Sequence, residues 1–273
     1  MTDVPRETPP VPATARGVFS SAALPMVERY ARLLATDGVR RGLIGPREVP
    51  RLWDRHLINS AALAPALAPA ATVADVGSGA GLPGLVLAIA RPDLHITLIE
   101  PLLRRTIFLE EAVAALELDR VTVVRARAEE LHGTLSFDVV TSRAVAPLER
   151  LLRWCMPLAG PDGCVLALKG AAAAEEVQRV RPQLARRGWG DPELLVVGPG
   201  GARPWDAGLE DREGHEDREV SPGAPASGGA TVRAVRVRWA DPSRVFWPVG
   251  PPSPDPVVGR RPSRRTTEQD RRR

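Results

Sequence analysis

One stretch limits the fold more than any other: residues 73–84, Val-Ala-Asp-Val-Gly-Ser-Gly-Ala-Gly-Leu-Pro-Gly, where a strand-like run meets a glycine turn and then an apolar helical segment. Glycines permit the tight turn and let a ligand lie against bare backbone. The amides of the helix that follows face the same ligand. Gly79, Gly81 and Gly84 also satisfy G-x-G-x-x-G, so a dinucleotide reading stands beside another nucleoside cofactor. Two details favour S-adenosylmethionine. The D-x-G-x-G-x-G form sets Asp75 beside the ligand, where a carboxylate favours a cationic amino group and sulfonium over a pyrophosphate. Pro83, without an N–H, suits a first helical turn but removes one donor from an anion cradle.

The glycine turn opens a regular alternation. Short strand-like runs occupy residues 72–77, 95–100, 121–126, 137–142, 164–169, 193–198 and 231–239. Helical segments at 82–90, 103–116, 128–131, 147–156 and 171–186 separate the first six. Such alternation specifies a mostly parallel sheet covered on both faces. No helix separates the sixth and seventh strands, which predicts an antiparallel pair at the sheet edge. The expected fold is therefore α/β and doubly wound, with the seven strands of a class I S-adenosylmethionine-dependent methyltransferase of Rossmann-like type. Before the sheet, Leu24, Val27, Tyr30, Ala31 and Leu34 share one helical face, and a second helical piece from Pro46 carries Leu52, His56 and Leu57.

The flanks read differently. Residues 1–17 are proline-rich, predict a disordered N-terminus, and lack the basic-then-apolar order of a signal peptide. The domain is expected over 18–240: a helical part at 18–70 lying over the ligand edge, and a core at 71–198 and 231–240. Between the core pieces, 199–230 forms a Gly/Pro-rich insertion expected to be disordered, with seven acids against three arginines at 202–220. The tail 241–273 starts rich in proline and ends basic. It is expected to be disordered, dispensable for folding, and attractive to RNA phosphates. No apolar run nears the roughly 18 residues of a membrane helix. Cys155 and Cys164 show no metal-like spacing and are expected as buried thiols, so the reading is a cytoplasmic protein without a metal. The net charge of +4 hints at a polyanionic partner.

Four further positions carry candidate chemistry. Glu100 ends the second strand 19 residues after Gly81, where an acid accepts both ribose hydroxyls. Residues 127–130, Arg-Ala-Glu-Glu, follow the third strand, where Ala128 and Glu129 can read an adenine edge; the same acids equally suit a helix N-terminus. Arg143, after the fourth strand, stands where enzymes that methylate exocyclic nitrogens often show an Asn/Asp-Pro-Pro-aromatic motif. Lys169 ends the fifth strand and is the sole lysine of an arginine-rich chain, which marks a need for a point charge.

Taken together, these residues resemble the RsmG (GidB) family, bacterial guanine-N7 methyltransferases of small-subunit ribosomal RNA. The resemblance rests on residues 55–60 (Arg-His-Leu-Ile-Asn-Ser), 75–84, 98–100 with Arg104, Arg105, Phe108 and Leu109, 127–130, 142–144 (Ser-Arg-Ala) and 167–170 (Ala-Leu-Lys-Gly), spanning about residues 50–170. It implies a cofactor pocket lined by Gly77, Leu82, Glu100, Ala128, Glu129 and Arg143, to which the glycine-turn reading adds Asp75 and Gly79. It also implies that His56, Asn59 and Ser60 come from N-terminal helices folded over the ligand edge, as a substrate side. An arginine is well suited to grip guanine O6 or a phosphate, so Arg143 is expected to hold the cofactor or the base, with Lys169 near the phosphate or O6, both in catalytic roles. The implied partner is 16S ribosomal RNA or the small ribosomal subunit. One departure is the absence of the usual Asn-Leu-Thr stretch before the histidine segment, where residues 42–48 stand instead. A methyltransferase of protein or small molecules, a nicotinamide-dependent oxidoreductase and a non-catalytic cofactor binder are the alternatives.

Overall fold

The computed structural model describes residues 9–143, 146–205 and 230–244. Eight strands form one sheet: β1 (Thr72–Val76), β2 (His95–Ile99), β3 (Val121–Val124), β4 (Phe137–Arg143), β5 (Ala159–Leu168), β6 (Glu193–Gly198), β7 (Gly201–Pro204) and β8 (Val232–Arg238). Their order is β3-β2-β1-β4-β5-β8-β6-β7. The first five pair in parallel, while β8 runs antiparallel to both β5 and β6. The chain moves outward from β1 to β3 and returns on the other side as β4. The strand order thus reverses between β1 and β4, and ligands collect at the carboxyl ends beside such a reversal.

The sequence forms these elements because both sheet faces are covered. Val73, Ala74, Ile96, Leu98, Val140, Val165 and Leu166 are all essentially buried, as expected of continuous apolar runs in a parallel sheet. One face carries α3 (Gly84–Ala90) and α4 (Leu103–Ala115), together with the N-terminal α1 (Leu24–Leu33) and the short α2 (Asn59–Ala61). The other carries α5 (Leu148–Cys155) and α6 (Ala173–Leu184). In α6 the buried Ala173, Val177, Val180 and Leu184 repeat at helical spacing. Helix α3 has no polar face, because it lies between the sheet and the N-terminal helices. Cys155 and Cys164 are both buried free thiols, and burial raises both above the ordinary thiol range, Cys155 strongly.

Three boundaries differ from the sequence reading. Residues 13–17 form a 3₁₀ turn whose Ala15 is fully buried, and the Trp53 indole N–H donates to the Pro9 carbonyl at 3.0 Å, so part of 1–17 packs. Residues 201–204 are not insertion but strand β7, which pairs with β6 and raises the count from seven to eight. The seventh expected strand, here β8, lies inside the sheet between β5 and β6 rather than at its edge. Inserting it there closes the ladder of both neighbours. Residues 1–8 of the N-terminal stretch, 206–229 of the acidic insertion and 245–273 of the basic tail lie outside the described residues. Among the described residues, no helix is long and apolar enough to cross a membrane.

Candidate active site

The glycine turn joins β1 to α3 at the reversal point. Gly77, Gly79 and Gly81 all have positive φ, at 72°, 58° and 93°, which a side chain disfavours. Gly84 is required for a second reason. A Cβ there would stand 2.3 Å from Leu98 Cδ2 and 2.8 Å from Asp75 Oδ2, so α3 packs on β2 only with bare backbone. Gly79 is the opposite case: a Cβ would meet only the Gly77 carbonyl, at 3.8 Å, and the tip of the turn presents open backbone.

Asp75 is fully buried behind this turn. Its Oδ2 accepts the Gly84 N–H at 2.9 Å, and its Oδ1 has no partner. Burial drives its carboxyl up to about 7, opposed by the Gly84 N–H and by the Ser78 hydroxyl, which donates to the Asp75 backbone carbonyl at 2.7 Å, and reinforced by the nearby Glu100 charge. Glu100 is also buried; its Oε2 accepts the Gly79 N–H at 3.0 Å and its Oε1 the Leu102 N–H at 3.1 Å. The residues fit S-adenosylmethionine on three counts. Backbone is bare at Gly79, Asp75 holds an unsatisfied acceptor oxygen, and the buried Glu100 carboxylate, which also meets Arg105 Nη1 at 3.5 Å, stands beside the turn.

Leu82 is half-buried beside the turn. Ala128 is buried and Glu129 exposed in a 3₁₀ turn after β3, whose start is capped by the Glu130 carboxylate accepting the Arg127 N–H at 2.9 Å.

The N-terminal part reaches this edge twice. From α1, the Tyr30 hydroxyl donates to the Ala80 carbonyl of the glycine turn at 2.6 Å. Leu52–Ile58 is a π-helical stretch preceded by a 3₁₀ turn, Pro46–Arg51, rather than a regular helix. Wide helical turns of this kind occur often at functional sites. Arg143, at the end of β4, grips it. Its Nη2 donates to the Arg55 carbonyl at 2.6 Å and to His56 Nδ1 at 3.1 Å, and its Nη1 donates to the His56 carbonyl and Ser60 Oγ, both at 3.3 Å. Desolvation holds the guanidinium below its ordinary range, and the Arg55 charge adds to that. Asn59 lies in the same stretch, its amide donating to the Arg55 carbonyl at 3.3 Å. The structure therefore joins Arg143, His56 and Ser60.

Lys169 goes elsewhere. Its ammonium donates to Glu176 Oε2 of α6 at 2.8 Å and to the Ala146 carbonyl at 3.1 Å. The same Glu176 oxygen accepts the Leu148 N–H at 2.7 Å. The charge is thus met inside the protein, and it ties β5, α6 and the segment after β4. Tyr30, Glu48 and Glu176 were not marked by the sequence. Tyr30, the one tyrosine of the chain, reads as an ordinary member of an apolar helix face.

A mostly parallel sheet reversing at β1/β4, an antiparallel strand between the fifth and sixth, and a D-x-G-x-G-x-G turn define a class I S-adenosylmethionine-dependent methyltransferase. The family model for rRNA small subunit methyltransferase G (GidB) matches residues 23–190, and the chain belongs to that family. Proteins named ribosomal RNA small subunit methyltransferase G are similar to it over most of their length. One from a Nocardioides species is 58% identical over 92% of this chain and 90% of its own. Those of Salinispora tropica (54%, covering 80% and 91%) and Streptomyces coelicolor (57%, covering 72% and 83%) are comparable. Among solved structures, an O-methyltransferase of Thermotoga maritima is 16% identical with a TM-score of 0.43, covering 65% of this chain and 63% of that one. The sheet order, not that likeness, carries the fold.

Proposed function

We propose that the protein methylates N7 of a guanine in 16S ribosomal RNA with S-adenosylmethionine as donor, in the cytoplasm. The observation that carries the reading is the junction at the reversal point, where the donor-type glycine turn and the Arg143 clamp share one sheet edge in a chain of this family.

Bound at this edge, the cofactor supplies an electrophilic methyl group on a sulfonium. Transfer of that methyl to N7 would leave a neutral thioether and a cationic purine. Guanine N7 carries a lone pair and no proton, so no side chain has to act as a base. The protein's work is positioning, from which displacement reactions of this kind gain most. The glycine turn and Glu100 would hold the nucleoside end of the cofactor, and Ala128 and Glu129 would read its adenine edge. Asp75 sits behind the turn and fixes Gly84. Arg143 holds the segment carrying His56, Asn59 and Ser60 against the same edge, and that segment forms the base side of the site. Lys169 keeps the segment after β4 in place through Glu176 rather than gripping phosphate.

The test uses small subunits from a strain lacking the enzyme, methyl-labelled S-adenosylmethionine and the purified protein. Label recovered as 7-methylguanosine in 16S RNA is expected. Label in protein, in another nucleoside or nowhere overturns the reading.

A further inference from the structure

Arg143 ends in a chain of contacts that continues beyond it. His56 Nδ1 faces Arg143 Nη2 at 3.1 Å, and on the other side of the ring Nε2 faces Glu48 Oε2 at 2.8 Å. A guanidinium N–H only donates, so the ring nitrogen opposite it must accept. Nδ1 is therefore bare, the ring proton sits on Nε2, and that proton is donated to the Glu48 carboxylate. Both neighbours demand the same neutral tautomer. A histidine flanked by one obligate donor and one anionic acceptor has no other arrangement that satisfies both.

From this geometry, and resting on the function proposed above, we infer that Glu48 is a positioning residue that acts through His56 to aim Arg143. Glu48 touches neither the glycine turn nor Arg143 directly. It lies in the 3₁₀ turn before the π-helical stretch, where the chain departs from the Asn-Leu-Thr pattern of its family resemblance. Without its carboxylate the imidazole is free to carry its proton on Nδ1, which turns the acceptor facing Arg143 into a donor. The guanidinium then loses one of its contacts and with it a fixed orientation.

The charged groups facing the His56 ring are Glu48 and Arg55 from its own strand of chain and Arg143 from β4. Burial, followed by the two arginine charges, holds His56 below the ordinary histidine range, and the carboxylate partly offsets this. Protonation at Nδ1 sets an imidazolium against a guanidinium, so the relay holds above the histidine's lowered pKa and opens as pH falls through it. Removing the carboxylate lowers that pKa further.

Three proteins test the inference: wild type, Glu48→Leu and Glu48→Gln. A glutamine carbonyl still accepts from Nε2, so Glu48→Gln keeps the tautomer but not the charge. Expected is a fall in single-turnover methylation, up to about 100-fold, for Glu48→Leu at neutral pH. Glu48→Gln keeps most of the plateau rate, with its acid limb moved to lower pH. S-adenosylmethionine affinity, measured by calorimetry, stays unchanged in both. A ¹⁵N imidazole spectrum shows a bare Nδ1 on His56 in wild type and Glu48→Gln, and a tautomer mixture in Glu48→Leu. Equal rates and unmoved acid limbs in all three, or a wild-type His56 protonated on Nδ1, overturn the inference. If wild type makes no 7-methylguanosine, the functional reading fails, and the spectrum still decides the relay.

Discussion

The two sides of the site are built by different physics. The donor side is local: β1, the glycine turn and α3 follow one another within residues 72–90, and Asp75 reaches Gly84 across nine positions of sequence. The proposed base side is assembled over long range, with Arg143 closing on Arg55, His56 and Ser60 more than 80 positions away. Backbone shape governs the first, where a Cβ is enough to spoil it. Hydrogen bonds from one planar fork govern the second. Damage to the donor side should therefore appear in cofactor affinity and folding, and damage to the base side in the rate.

The largest effect should come from Gly84→Ala. The new methyl meets Leu98 and Asp75 well inside contact distance, so α3 has to lift from β2. Overpacking of this kind costs about 1–3 kcal/mol. A lower thermal midpoint together with lost S-adenosylmethionine binding is expected. Wild-type behaviour would mean that the turn is looser than its packing.

Arg143→Lys should come next. A point charge replaces a planar fork with four acceptors, and the base side loses its anchor. Single-turnover methylation should fall by about 100-fold, the scale expected of a small misplacement near the reacting atoms. Near-normal turnover would show that charge alone suffices.

Tyr30→Phe sharpens the comparison, since this residue belongs to the helical cap but touches the donor turn. It leaves the Ala80 carbonyl without its partner, and a buried polar group left unpaired costs about 1–3 kcal/mol. Weaker cofactor affinity with a nearly unchanged single-turnover rate at saturation is expected. A loss confined to the rate would move Tyr30 to the base side.

A separate test of the donor side is one of pH. The Asp75 carboxyl is raised from 3.8 to about 7, so the folded protein binds a proton that the unfolded chain has released between those values. Stability of the cofactor-free protein should thus decline as pH rises from about 4 to about 7. Asp75→Asn removes that slope. A thermal midpoint profile in which the two proteins run parallel across this range would place the Asp75 pKa near its ordinary value.

How much was legible in the sequence follows the same division. Asp75, the glycines and Glu100 could be placed because their spacing along one strand–turn–helix unit already fixes their spacing in the structure. Glu48 against His56, Tyr30 against Ala80 and Lys169 against Glu176 could not, because each depends on how separate elements come together. Lys169 shows the limit most clearly. A lone lysine stood out by residue type, yet its neighbours, and so its task, were set by where α6 docks. Strand β7 was hidden for another reason: Gly-Ala-Arg-Pro has no apolar alternation, and it pairs only because β6 offers a free edge.

The proposed function puts Arg143 on the base side of the site rather than in the cofactor pocket. It is tested most directly by measuring, on purified Arg143→Lys, both the calorimetric affinity for S-adenosylmethionine and the single-turnover yield of 7-methylguanosine on small subunits. Wild-type affinity with a collapsed rate is expected. Affinity and rate falling together would contradict it and return Arg143 to the cofactor pocket.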